Sequence, residues 1–382
     1  MDLTDSPTEA AFRAQARAFL AEHPPPSGAD TYRAKVEESV ALELAAEWQR
    51  TLFDNGWAAL IWPVEAGGRG LGPVEQITWS QELARAGGMQ SLYMVGIGMV
   101  GPTLVVHGSP SQRARLLEPI LSGEHMWCQL LSEPGAGSDL AGVHTRAVRD
   151  GDEWVVNGQK VWSSGAHYSQ LGILLARTNL DVPKHRGLTC FACPMDTPGV
   201  EPRPLRQMTG AANFNEVFLT DVRIADEWRI GEVDDGWTVA RTLLANERMT
   251  LSGADGAFSF DQLADAARER RDRVDAVVRD RLARLYTQVR ALDFLNARVI
   301  TKLGRGETPT AEASVMKLAL ADIVTEGATI ALGLLGPEGM LGDTPESHRL
   351  VGSPAMHIGG GTDEVNKNVV AERVLGLPRD SS

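Results

Sequence analysis

Arg149 to Trp162 reads RDGDEWVVNGQKVW, and the period of this stretch decides how the chain is built. Glu153-Trp-Val-Val156 is extended by residue type, aromatic and β-branched. It stands between Asp150-Gly151 and Asn157-Gly158, two dipeptides that favour hairpin turns. The next apolar run, LGILLART from Leu171, also looks extended. LTCFACP (188–194) and NEVFLTDVRI (215–224) follow as short strands punctuated by Gly and Pro. An all-β region from about residue 125 to Gly236 is therefore expected.

Outward from it, on both sides, the apolar spacing is helical. Ser6-Pro7-Thr8-Glu9 is a capping box with proline at the first helical position. Phe12, Ala16, Phe19 and Leu20 then recur three or four apart. Similar patterns cover Ala34–Asn55, Val74–Ala86, Leu92–His107 and Ser111–Leu121, with glycine-rich breaks such as EAGGRGLG between them. After DDGW, long helical patterns return at Val239–Leu251, Arg279–Leu303 and Ala311–Leu335. The expected fold is α+β and multidomain: an N-terminal helical domain (1–124), a middle β domain (125–236) and a C-terminal helical domain (237–382). Helices, then sheet, then helices is not the βαβ alternation of a doubly wound nucleotide-binding fold.

Composition narrows the function. The 382 residues are 43% hydrophobic, enough for a sizeable core. A formal net charge of −13 leaves no basic footprint for nucleic acid or an anionic membrane surface. The residues after Met1, DLTDSPTEAAF, lack the basic and apolar regions of a signal peptide. The apolar stretch Leu92 to Val106 is broken by glycines and Pro102, which suits a buried helix better than a bilayer span. Three cysteines, Cys128, Cys190 and Cys193, suit a reducing compartment. Cys190 and Cys193 form a C-x-x-C on an extended run, where odd spacing sends them to opposite faces. With no second pair and no histidine cluster, neither a metal nor a redox role is expected. The expected location is cytoplasmic.

Leu131 to Gly142, LSEPGAGSDLAG, opens the β region. Gly135 and Gly137 let backbone N–H groups converge and Ser138 adds a hydroxyl, which suits a phosphate or is only a turn. It is neither a G-x-G-x-x-G after a strand nor a Walker loop. Further on, Lys160-Val-Trp162-Ser-Ser164 sets an indole beside hydroxyls. That is either a platform for a planar cofactor or a piece of core.

These two stretches, SEPGAGSD (132–139) and NGQKVW (157–162), resemble the signatures of the acyl-CoA dehydrogenase flavoprotein family. The likeness extends upstream through WPVEAGGRGLG and downstream through NFNEVFLTDVRI, GEVDDGW and GTDEVNKNVVAERVLGL. The resemblance implies a helical domain, a β-barrel-like domain and a four-helix bundle, with FAD as cofactor. By position it implies that Ser132 and Ser164 hydrogen-bond the flavin and that the Gln129 and Trp162 segments flank it. Gly137 and Ser138 would face the flavin or the thioester, with Ser138 and Arg248 toward the substrate. Thr362 and Glu364 would lie by the far end of the cofactor.

The implied reaction is α,β-dehydrogenation of an acyl-CoA thioester, in which a base takes the α-proton while hydride leaves the β-carbon for flavin N5. A buried carboxylate is the natural base. Many family members carry it just before the Gly-Thr pair near the C-terminus, where this chain has Gly360 within MHIGGGTDEV (356–365). The helix from Gly236 offers another. Val239, Leu243, Glu247 and Leu251 recur every fourth residue, so one carboxylate interrupts an apolar stripe. An ion pair to Arg241 or Arg248 is the alternative use of Glu247. The isovaleryl-CoA and long-chain branches resemble this arrangement, which implies that Glu247 is the base. Gly360 would then offer its N–H to the substrate carbonyl and widen the pocket for a branched or bulky acyl group, such as a steroid side chain. A plain helix entry with Thr362 as N-cap is the alternative use of the glycines.

The family's neighbour-side FAD contacts depart here. Arg273 lacks the following phenylalanine, and Gly333 stands where a glutamine would be. A homo- or hetero-tetramer built from dimers is expected, with a paralogue as one source of the missing half-site. The expected electron acceptor is an electron-transferring flavoprotein. Alternatives on the same fold are a non-catalytic or half-site subunit and a flavin oxidase or monooxygenase.

Overall fold

The computed structural model describes residues 5–26, 37–88, 92–252, 258–305, 307, 312–342 and 344–379. In chain order the helices of the first third are α1 (Pro7–Glu22), α2 (Glu38–Asp54), α3 (Pro73–Arg85), α4 (Gly101–His107) and α5 (Pro110–Ser122). The strands are β1 (Trp127–Leu130), β2 (Arg146–Asp150), β3 (Glu153–Lys160), β4 (Leu171–Arg177), β5 (Leu188–Pro194), β6 (Val200–Leu205), β7 (Phe214–Ala225) and β8 (Arg229–Ile230). Helices α6 (Gly236–Ser252), α7 (Phe260–Glu269), α8 (Ala276–Gly304), α9 (Glu312–Leu335), α10 (Pro345–Gly352) and α11 (Asp363–Arg373) complete it. The order is helical, sheet, helical. The expected helix from Ala34 begins at Glu38; residues 34–36, and Ala311 before α9, lie outside the described residues.

The Ser6 capping box forms as expected: the Ser6 hydroxyl accepts from Glu9 N–H at 3.3 Å, and Glu9 Oε2 accepts from Ser6 N–H at 2.6 Å. The chain divides into two compact units. One combines Met1–Pro24, Gly72–Gly87 and Leu251–Ser382. Within it, α1 packs on α3 and α9 packs on α8, α10 and α11. Glu82 of α3 is buried and receives Arg13, Arg17 and Arg85 at 2.8, 2.8 and 2.6 Å. Leu263, Leu285, Ile323, Ile330 and Leu334 form the core beneath. By length and composition, Glu312–Leu341 is apolar enough to cross a bilayer. Here it is the central helix of this core.

The other unit, Pro25–Leu71 and Gly88–Thr250, carries the sheet. Its strand order is β6-β7-β3-β2-β4-β5-β8, with β1 running parallel beside β4. Strands β4 and β5 are apolar on both faces because both faces are covered. Ile173, Leu175 and Cys190 pack with helical residues such as Leu104, Leu116 and Leu243. Leu174, Phe191 and Cys193 pack instead with Trp154, Val217 and Leu219 of the same sheet. The sheet therefore curls around an interior of its own, which makes it barrel-like. Cys190 and Cys193 do face opposite sides, and burial pushes both thiols up to about 12, leaving them unreactive.

One turn expectation fails. Asn157-Gly158 lies inside β3 rather than ending it. The ladder with β7 slips between Val156 and Gly158, which pair with Val222 and Leu219. The extra residue is therefore on β7, at a bulge where Asp221 adopts a φ of +50°. Asn157 Nδ2 donates to Asp221 Oδ1 at 3.0 Å. Gly158 has its own cause: a Cβ there would stand 2.4 Å from Thr145 Oγ1. Close approach, not a turn, demands the glycine.

Candidate active site

Glu247 sits on α6, one turn beyond Leu243 and three residues after Leu244, on the face that packs against the sheet-side core. Val239, Ala240 and Leu243 are fully buried on that face, while Glu247 itself is partly buried. Its Oε2 accepts a hydrogen bond from Gln129 Nε2 of β1 at 3.0 Å. Desolvation pushes the carboxyl above its ordinary value; the Gln129 bond and the nearby Arg248 charge oppose the rise without cancelling it. Arg241 and Arg248 point to solvent. Among the described residues Glu247 forms no salt bridge, so the ion-pair alternative is not realised.

The helix that supports α6 is irregular. Val95–Val100 is a π-helical turn that runs into α4, not the plain helix the spacing suggests. Thr250 Oγ1 lies 3.1 Å from Gly98 O and 2.9 Å from Asn246 O, sharing its one proton between them, and His107 Nε2 lies 2.8 Å from Thr242 Oγ1. Trp62 Nε1 donates to Ile97 O at 3.0 Å.

The glycine-rich loop is held from inside by a buried ion pair that went unnoticed in the sequence. Lys160 Nζ, fully buried, donates to Glu133 Oε1 and to Leu131 O, each at 2.9 Å. Glu133 also accepts from His144 and Thr145 N–H at 2.6 and 2.8 Å. The signal was present: Lys160 shares strand parity with buried Trp154 and Val156. Around Pro134-Gly135 the chain doubles back, with Glu133 and Ala136 exchanging both backbone bonds at 3.0 Å. Neither Gly135 nor Gly137 has positive φ, and a Cβ on either would meet nothing within 4 Å. Both glycines are exposed. Ser138 is exposed and Ser132 half-exposed, and Ser132 O accepts from Val161 N–H at 2.9 Å. The loop is thereby tied to the strand end that carries Trp162.

Trp162 has a φ of +62° and is 62% exposed, with Phe214 edge-on at 6.1 Å. Ser163 and Asn215 exchange backbone bonds at 3.1 Å and fix this turn. An indole held outward in a left-handed conformation is not a core residue, so the core alternative is excluded for Trp162. Ser164, two residues on, is half-exposed. Gln129, Ser132, Gly137, Ser138, Trp162, Ser164, Glu247 and Arg248 thus all belong to the sheet-bearing unit.

Gly360, Thr362 and Glu364 belong to the other unit. Gly360 and Gly361 adopt φ of +68° and +89°, so two of the three glycines are needed by the turn alone. Thr362 caps α11, accepting from Val365 N–H at 3.3 Å, and Glu364 is exposed in its first turn. The turn is braced by Asn366 Nδ2 on Gly361 O at 2.9 Å and by Asp363. That carboxylate meets Lys317 Nζ and His357 Nδ1, both at 2.7 Å.

Residues 6–124, 128–222 and 234–375 match, in turn, the acyl-CoA dehydrogenase N-terminal, middle and C-terminal domains. The chain belongs to the acyl-CoA dehydrogenase family. It is 38% identical over 97% of its length to the acyl-CoA dehydrogenase IpdE1 of Mycobacterium tuberculosis, of which 98% is covered. It is 41% identical over 87% of its length to the acyl-CoA dehydrogenase FadE34 of the same organism, but spans only 46% of that protein. Among solved structures, the "Tcur3481-Tcur3483 steroid ACAD" superposes with a TM-score of 0.85 at 30% identity, covering all of both chains. As an acyl-CoA dehydrogenase, this chain is a flavin-dependent oxidoreductase of CH–CH donors by family.

The sheet-bearing residues fit a flavin. The outward indole of Trp162 suits a planar ring system, and Ser132 and Ser164 are half-exposed in the same unit. When bound, FAD supplies the hydride acceptor.

Proposed function

We propose that this chain catalyses FAD-dependent α,β-dehydrogenation of an acyl-CoA thioester with a branched or bulky acyl group, the steroid side-chain class being the preferred one. The observation that carries the proposal is Glu247: a partly buried carboxyl on an apolar helix face, pushed above its ordinary range and held by one neutral amide. Glu247 takes the substrate α-proton, so one C–H bond breaks and one O–H bond forms. Gln129 fixes the carboxylate and, as a neutral donor, favours its ionised form without a competing charge. Trp162, Ser132, Ser138 and Ser164 hold the cofactor, Gly137 leaves room beside it, and Thr362 and Glu364 contact its far end. Ser138 and Arg248 contact the thioester, and Gly360 offers a backbone N–H to its carbonyl. The two-name steroid enzyme among the structural relatives supports the substrate class. A panel of straight, branched and steroidal acyl-CoA thioesters with an artificial electron acceptor tests it. The bulky substrates are expected to give the highest kcat/KM, and a preference for short straight chains would overturn the assignment.

The active form carries Glu247 ionised, so kcat/KM is expected to rise with pH along a limb above the usual carboxylate range and then level off. Gln129→Leu removes a bond that lowers the Glu247 pKa. It is expected to displace that limb to still higher pH, which a pH profile of the variant measures directly.

A second reading, a half-site in a heteromer, is favoured by Arg273. Its Nη1 bonds the carbonyls of Leu334 and Leu335 at the end of α9, within its own unit, so that arm of the guanidinium is not free for a neighbouring cofactor. FadE34 is about twice the matched length, which leaves room in that protein for a second half. The chain purified alone is expected to show substoichiometric flavin absorbance, restored on mixing with a paralogous partner. A full flavin complement without one would remove this reading. The proposed electron acceptor is an electron-transferring flavoprotein.

A further inference from the structure

The π-helical turn Val95–Val100 touches both elements that meet at Glu247. It closes with Gly101 N–H on Gly96 O, five residues back, and Pro102, which follows, has no N–H to give the carbonyls of Ile97 or Gly98. Both are met by side chains from elsewhere: Trp62 Nε1 bonds Ile97 O at 3.0 Å, and Thr250 Oγ1 lies 3.1 Å from Gly98 O, its one proton shared with Asn246 O of its own helix at 2.9 Å. Glycine stands at each contact. A Cβ on Gly96 would lie 3.2 Å from Ile120 and 3.6 Å from the Trp127 ring. On Gly98 it would lie 2.6 Å from Thr250 Oγ1, and on Gly101 2.0 Å from the Trp62 ring. Trp127 is two residues before Gln129 on β1, and Thr250 is three residues after Glu247 on α6. The Gly96 side of the turn therefore meets the strand of the amide donor, and the Gly98 side meets the helix of the carboxylate.

We infer that this glycine-faced π turn is the spacer that sets the Gln129–Glu247 hydrogen bond, with Gly98 and Thr250 as positioning residues for the base. The inference rests on the reading of Glu247 as base. The Gly98 carbonyl has no α-helical donor, because the residue four positions on is Pro102; removing the Thr250 hydroxyl would release it from α6, and a residue with a Cβ at 98 would push α6 outward. Both changes act on the distance across which Gln129 reaches Glu247, not on substrate contacts.

The test uses flavin-loaded enzyme, with its partner subunit if loading requires one, and compares Thr250→Val, Thr250→Ser, Gly98→Ala and Glu247→Gln. Thr250→Val and Gly98→Ala are expected to lower kcat by about 10- to 100-fold with little change in KM, the scale on which small misplacements act. They are also expected to move the acidic limb of kcat/KM to higher pH, because the bond that holds the Glu247 pKa down is weakened. Thr250→Ser keeps the hydroxyl and is expected to restore both. If Thr250→Val folds, binds flavin and keeps the wild-type kcat and limb while Glu247→Gln is inactive, the spacer role is wrong and the base assignment stands. If Glu247→Gln is active, the base assignment fails and the spacer role with it. Should Gly98→Ala not fold, the Thr250 pair decides alone.

Discussion

Glu247→Gln is expected to lower kcat for thioester dehydrogenation by at least ~10² to 10⁴, the usual worth of a positioned proton-transfer group. The substitution is nearly isosteric and keeps an acceptor for Gln129 Nε2, so strand β1 and helix α6 have no reason to move. What is lost is the basic oxygen. Steady-state turnover with a dye acceptor measures the loss. Exchange of the substrate α-proton with deuterated water isolates the first step and is expected to fall with it. Unchanged exchange would place the base elsewhere. Stability is expected to move the other way. The carboxyl titrates above its unfolded value, so between the two values the folded chain binds more protons than the unfolded one. Ionised Glu247 therefore opposes folding, and its cost grows as pH rises through that window. A neutral glutamine removes the cost, so Glu247→Gln is expected to unfold at a slightly higher temperature at neutral pH. Less activity with more stability separates a functional carboxylate from a structural one.

The parts of the fold that were legible in the sequence are those where local chemistry and tertiary environment agree. The Ser6 box, the Phe12–Leu20 spacing and the unbroken apolar runs of β4 and β5 carry the same message at both levels. Asn157-Gly158 misled because a glycine needed for close approach to Thr145 looks like a glycine needed for a turn. In the 359–361 triplet, the local demand of a left-handed turn accounts for Gly360 and Gly361, which spacing alone cannot separate from a demand for room. Glu247 was legible as a flaw in an apolar stripe. Its partner was not, because Gln129 lies 118 positions away and an amide on a short strand carries no periodic signal. The π turn was hidden for a related reason: Gly96, Gly98 and Gly101 look like interruptions until Trp62, Trp127 and Thr250 arrive from other elements. Lys160 carried a signal in its parity with Trp154 and Val156, which marks it as inward, but a lone strand lysine does not reveal Glu133, its partner 27 positions away.

Lys160→Met is expected to cost about 3 to 5 kcal/mol of stability, the range for removing one partner of a buried ion pair. Lys160 is fully buried and Glu133 nearly so. The methionine fills the space, but Glu133 is left ionised with only the His144 and Thr145 N–H groups, and Leu131 O loses its ammonium donor. Burial alone would raise the Glu133 pKa; the Lys160 charge and hydrogen bonds bring it below the ordinary carboxylate range. A depressed carboxylate stabilises the fold above its unfolded pKa and loses that contribution as pH falls. Wild-type chain is therefore expected to lose stability on acidification more steeply than Lys160→Met. The alkaline side has the opposite sense. Burial brings the Lys160 ammonium down to about 8, against 10.5 when unfolded, with Glu133 resisting the fall. Between these values the unfolded chain holds more protons, so this residue's contribution to stability rises with pH there, and the rise is absent from the variant. Urea titrations across pH 4 to 10 measure both slopes. Lys160→Met/Glu133→Gln removes the stranded charge while keeping one acceptor for the two N–H groups, and is expected to recover part of the loss. Equal destabilisation in the single and double variants would mean that the ammonium acts by packing rather than by charge. The pair also ties Leu131–Glu133 to the strand end before Trp162, so flavin content is expected to fall with stability in Lys160→Met and to return with it in the double variant.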